Sequence, residues 1–167
     1  CIRDSNFYYH LVLLAENNKG YDNLIKIVSY GFKDGFYYKP RVDIELLEKY
    51  HEGIIALSAC LAGPVARTII RQGYDKAKEV ALRYNNIFGE NNFFLELQDH
   101  MDGSVDQQTV NQSLMRMHQE TGIPLVATND CHYISPEDAE AHDILLCIQT
   151  NTTVDEADRM RYEGGQY

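Results

Sequence analysis

The chain has 167 residues, with 15 Lys and Arg against 25 Asp and Glu, a formal charge of −10 and a pI near 4.9. That length suits a single domain with a core large enough to stand without disulfides, and a hydrophobic share of 44% excludes disordered and collagen-like chains. The acidic balance argues against this chain alone gripping a nucleic-acid backbone, which requires a basic patch. The segment from His10 to Ala15 is short, apolar and strand-like, closed by turn residues Asn17 to Gly20. Leu24, Ile25, Ile27 and Val28 then give a helical face up to about Tyr30, followed by a Gly- and aromatic-rich loop from Gly31 to Arg41. Asp43 caps a short helix through Tyr50, with Glu45 in its first turn where the helix dipole favours a carboxylate.

Ile54 to Ser58 is the next buried strand, and helices follow from about Val65 to Arg71 and Asp75 to Phe88. Phe93 to Leu97 is a third strand, and a polar helix runs from about Ser104 to Thr121 until Gly122 and Pro124 stop it. Pro124 to Thr128 is a fourth strand, and Ser135-Pro136-Glu137-Asp138 opens a last helix with a capping-box pattern. Short apolar strands separated by helices predict an α/β fold with a mostly parallel sheet. Residues 1–150 read as the domain, and the polar, acidic 151–167 as a linker.

The longest nearly apolar stretch, 53–66, is interrupted by Ser58 and Pro64 and is too short to cross a bilayer. No basic-then-apolar leader opens the chain. Cys1, Cys60, Cys131 and Cys147 are scattered without a CxxC pair, which fits reduced thiols in the cytoplasm. The start at Cys1 and the end at Tyr167 read as those of a piece of a longer protein.

In α/β folds chemistry gathers in the loops after parallel strands. Three such loops carry metal-competent side chains: Cys60 after the second strand, Asp99 and His100 after the third, Asp130 and His132 after the fourth. Asp130-Cys131-His132 is the sharpest local signal, because its outer side chains point the same way from extended backbone. A carboxylate and an imidazole together suit Zn²⁺, Mn²⁺ or Fe²⁺. Each residue also has a plainer reading. Cys60 can pack as a small hydrophobe, and His10 can serve as a core or edge histidine. His51 and His118 read as solvated, while His142 can orient a neighbour from the last helix. Glu96, mid-strand among apolar residues, is either a paired structural carboxylate or a ligand. No Walker loop, GxGxxG, GxSxG or HExxH is present. The aromatic and basic loop from Phe36 to Arg41 reads as packing rather than base stacking.

The strings HLVLLA (10–15), GYDNL (20–24), GFYYKPRVD (35–43), LSACLAG (57–63), FLELQDH (94–100), IPLVATNDCHY (123–133) and DAEAHDILLCIQT (138–150) occur in this order. Together they resemble the PHP (polymerase and histidinol phosphatase) domain of bacterial replicative DNA polymerase III alpha subunits. The resemblance covers essentially the whole chain. It implies the C-terminal part of a distorted seven-stranded (β/α) barrel, TIM-like, beginning after the family's first metal motif, with metal ligands at one rim.

By matching strings, His10, Cys60, Asp130 and His132 are the implied ligands, with Glu96, His100 and His142 in a second tier. His10 begins its strand, so it reaches the rim only if that strand runs antiparallel to the others. The resemblance further implies chromosomal DNA replication in the cytoplasm, with the two-magnesium polymerase site lying beyond Tyr167. For the domain itself it implies either a metal-dependent phosphoesterase with 3′-5′ exonuclease character, or a module that braces the polymerase and docks a proofreading exonuclease. A small-molecule phosphatase of the histidinol-phosphate type is disfavoured by the polymerase-like wording of 35–43 and 138–150. Implied partners are the rest of the polymerase chain, the proofreading exonuclease and other replicase subunits. DNA would be met through the parent, and no membrane is expected.

Overall fold

The structure is a computed structural model that describes residues 8–100 and 104–162. Its elements are β1 (Val12–Ala15), α1 (Asn18–Lys33), α2 (Ile44–Tyr50), β2 (Ile54–Leu57), α3 (Pro64–Gln72), α4 (Tyr74–Phe88), β3 (Phe93–Gln98), α5 (Val105–Thr121), β4 (Leu125–Thr128) and α6 (Ala139–Thr150). The four strands form one sheet in the order β1-β2-β3-β4. β2, β3 and β4 run parallel, and β1 runs antiparallel against β2, with Val12 opposite Leu57 and Ala15 opposite Ile54. The expected α/β class is what the chain adopts, as a four-stranded sheet among the described residues.

β3 lies between β2 and β4, and its side chains divide by the two-residue period. Phe93 and Leu95 enter the apolar core with Ile54 and Ala56 of β2, Val65 and Ile69 of α3, Ala77 and Ala81 of α4, and Val110, Leu114 and Met117 of α5. Glu96 and Gln98 alternate to the opposite face, also buried. The sheet therefore has an oily side under its helices and a polar side leading to the strand ends.

Local signals fix most helix ends. The Asp43 carboxylate accepts the Leu46 N–H at 2.9 Å, and the Ser104 hydroxyl accepts that of Gln107 at 3.3 Å. Gly122 closes α5 at φ 75°, its N–H donating to the His118 carbonyl at 2.8 Å. A Cβ there would touch nothing within 4 Å, so Gly122→Ala carries only the left-handed backbone penalty. We expect about 1 kcal/mol of lost stability by chemical denaturation.

Several expectations are corrected. The first helix does not wait for Leu24 but starts at Asn18, and it runs through Gly31 to Lys33, so the loop begins at Asp34. The turn-like Asn17 is in fact the cap, its side chain accepting the Gly20 N–H at 3.0 Å. Gly20 is needed because the helix presses on the turn before β2: a Cβ there would lie 1.7 Å from the Gly53 carbonyl oxygen. The first strand is trimmed to Val12–Ala15. Pro136–Asp138 forms a 3-10 turn ahead of α6, with the Asp138 carboxylate accepting the Ser135 N–H at 3.1 Å. His118 is not freely solvated, since its Nδ1 lies 2.7 Å from the Ile123 carbonyl oxygen, half-buried.

Glu120 joins α5 to α4. Its carboxylate accepts from Lys78 Nζ at 2.7 Å, Arg116 Nε at 2.7 Å and the Tyr74 hydroxyl at 2.8 Å. Lys78, then Arg116 and Tyr74, hold its pKa down to about 2 from an ordinary 4.5. A depressed carboxyl pKa gives stability that is present above the ordinary value and is lost as pH falls toward the folded one. The melting temperatures of wild type and Glu120→Gln should therefore differ above pH 4.5 and converge toward pH 2, as a thermal titration will show.

Candidate metal centre

Because β2, β3 and β4 are parallel, their following loops lie at one end of the sheet. Because β1 is reversed, its beginning lies at that same end. The reversal brings His10 to the rim. Its N–H donates to the Ala62 carbonyl at 3.1 Å, and its Nδ1 stands 3.6 Å from Cys60 Sγ. Cys60 sits in a turn so tight that a Cβ on Gly63 would lie 2.0 Å from the Ser58 carbonyl oxygen. Burial pushes the Cys60 thiol up, and the Asp130 and Glu96 carboxylates add to this against a backbone hydrogen bond at Ala62.

Asp130 and His132 form the second pair, Oδ1 to Nε2 at 3.7 Å, both partly open to solvent. The His132 ring packs against His142, centroids 5.8 Å apart, and against Tyr162 at 4.4 Å. Burial, with the charges of Asp130 and Cys60, raises the Tyr162 pKa. Tyr162 belongs to the segment after α6, which folds back along that helix. There the Arg159 guanidinium clamps Asp143, Nη2 to Oδ2 at 2.6 Å, with the Arg159 side chain only 4% exposed.

The second-tier residues divide. His142 stands behind His132. Glu96 is buried, and its oxygens accept from the Ala59 N–H at 3.0 Å, from Gln98 Nε2 at 3.1 Å and from the Thr128 hydroxyl. His100 is also buried, and its Nδ1 has no hydrogen-bond partner among the described residues. The donor types suit a borderline-soft divalent ion, since each pair supplies an imidazole nitrogen beside a thiol or a carboxylate. Two ligands are half of a tetrahedral shell. Among the described residues, no group of three His, Cys, Asp or Glu comes together at ligand spacing. Sequence reasoning missed Ser58, Gln98, Thr128 and Tyr162. The first three carried only strand-end polarity as a signal, and Tyr162 carried none.

A four-stranded α/β sheet with two donor pairs at one end of its strands can be set beside known proteins. The PHP domain model matches residues 2–100, and the chain belongs to that family. Relatives named DNA polymerase III subunit alpha are similar to it: 45% identical in Borreliella burgdorferi, 42% in Treponema pallidum and 43% in Thermus aquaticus. These matches cover 95%, 96% and 93% of this chain, but 14%, 14% and 12% of the relatives. The chain thus spans about a seventh of the length of the proteins it resembles.

Proposed function

We propose that this PHP domain serves chromosomal DNA replication as part of a bacterial replicative DNA polymerase, and that it holds divalent metal at its rim. The reading is supported by the relatives named above and by one observation of geometry. The reversed β1 brings His10 to Cys60 on the rim that carries Asp130 and His132. In this reading residues 1–150, with the four strands, are the C-terminal part of a distorted seven-stranded (β/α) barrel, and 151–167 lead toward the polymerase core. The cytoplasm is the proposed compartment; no helix among the described residues is long and apolar enough to cross a membrane.

His10, Cys60, Asp130 and His132 would hold zinc, manganese or iron, the thiol favouring zinc. Such an ion supplies an acidified water and a clamp on the scissile phosphate of a 3′-terminal nucleotide. The chain's own residues would do the rest. His142 and Tyr162 wall the His132 ring, and the Asp143–Arg159 clamp holds Tyr162's segment in place. Polymerisation, with magnesium, belongs to residues beyond this chain.

A second reading has its own observation. α6 exposes Ile144, Leu145 and Ile148 along one side, and an apolar face of this kind suits protein contact. The domain would then brace the polymerase and dock a proofreading exonuclease, any metal being structural. Metal content of the full-length protein, followed by hydrolysis of primer 3′ ends, separates the two. Loaded metal with 3′-end hydrolysis supports the first reading. Metal absent from an intact fold overturns it and leaves the second.

A further inference from the structure

Glu96 lies between the two donor pairs without belonging to either. β3 is flanked on both sides by parallel neighbours, so a side chain near its end faces the loops that follow β2 and β4. Glu96 reaches both. Oε2 accepts the N–H of Ala59, the residue before Cys60, at 3.0 Å. Oε1 accepts the hydroxyl of Thr128, two residues before Asp130, and the Gln98 amide at 3.1 Å. The Glu96 N–H in turn donates to Ser58 Oγ at 2.9 Å, on the Cys60 side of the bridge.

Both loops are held in backbone conformations that side chains rarely adopt, with Ala59 at φ 62° and Asp130 at φ 46°. Conformations of this kind persist only where the surroundings fix them. Glu96 is 5% exposed, and three donors occupy its two oxygens. A buried carboxylate so engaged is costly to disturb.

We propose that Glu96 is a positioning residue rather than a ligand: it ties the Cys60 loop to the Asp130 loop, so that the two donor pairs face one rim in register. This rests on the metal reading above, yet the tie exists without metal and can be tested without it. Glutamine is the informative replacement. Its oxygen still accepts the Ala59 N–H. Its amide nitrogen can donate to Thr128 Oγ1 by rotation of the hydroxyl, and to Gln98 Oε1 by a flip of that amide. Gln98 Oε1 is buried with no hydrogen-bond partner among the described residues, so the flip uses an acceptor that is otherwise idle there. Glutamine therefore keeps the bridge while removing the charge that a ligand would need. Alanine removes the bridge.

The experiment uses the full-length protein with cobalt(II) as probe, reading the thiolate charge-transfer absorption, with Cys60→Ser as the blank. Amide exchange by mass spectrometry is measured on the metal-free proteins. Glu96→Gln should keep the cobalt band and the wild-type exchange pattern. Glu96→Ala should lose most of the band and speed exchange in the Ala59 and Thr128–Asp130 segments by about tenfold or more, leaving α5 amides unchanged.

A Gln variant that loses the band as fully as Cys60→Ser would make Glu96 a ligand and overturn the proposal. An Ala variant whose exchange rises evenly across the domain would reduce Glu96 to a stability residue and overturn it equally. If wild type gives no band at all, the metal reading fails, and the exchange comparison still decides whether Glu96 ties the loops.

Discussion

Replacing Asp130 with asparagine and His132 with alanine together will strip metal from the full-length protein, from near-stoichiometric to a small residue by mass spectrometry. Loss of a mere supporting hydrogen bond around a metal costs about 10- to 100-fold in affinity, and under the proposed ligation two direct donors go at once. The surviving pair, His10 and Cys60, offers only two positions. Burial, together with the Glu96 carboxylate that the variant retains, still raises the Cys60 thiol, so metal must displace its proton, and uptake will strengthen as pH rises.

The fold will tolerate the change. Both side chains are partly exposed, at 43% for Asp130 and 31% for His132, and asparagine accepts the left-handed backbone at φ 46° as readily as aspartate. The melting temperature should therefore hold while the metal disappears. Metal retained by the double variant would mean that these residues are not ligands.

Phe93→Ala will cost about 3–5 kcal/mol, a large part of the roughly 5–15 kcal/mol that keeps a domain folded. Phe93 opens β3, is wholly buried, and stacks on Tyr84 with ring centroids 5.7 Å apart. It is the largest of the fully buried side chains, so alanine would leave a cavity between the sheet and α4. Denaturant titration gives the number. Tyr38→Ala, at a side chain 84% exposed, is the control and should stay within about 0.5 kcal/mol. A Phe93→Ala loss no greater than that would contradict the packing described.

What could be read from the sequence was mostly what is decided locally. Asp43, Ser104 and Gly122 mark helix ends because their side chains or backbone act within one turn. Asn17 misled because the residues that make turns are those that cap helices, and only the distant Gly53 shows why Gly20 lies inside α1. Lys33 extends the helix past a glycine whose helical state packing decides. His10 illustrates the same boundary at the site. The condition for its reaching the rim, a reversed strand, followed from sequence order alone, whereas the pairing that fulfils it joins residues as far apart as Val12 and Leu57. Glu96 could be narrowed to two roles, and the proposal of a positioning role rests on its partners beside β2 and in β4, which no local pattern shows. Tyr162 arrives at His132 through an ion pair between Asp143 and Arg159, which no local pattern announces.

The approach of Tyr162 to within 4.4 Å of His132 also has an optical consequence. The chain contains no tryptophan, so within this domain tyrosine emission has no indole to drain into. A quenching ion seated at His132 would dim Tyr162, whose ring packs against that imidazole. The domain thereby carries its own fluorophore at the rim, and a Tyr162→Phe difference spectrum would isolate its signal without any added label.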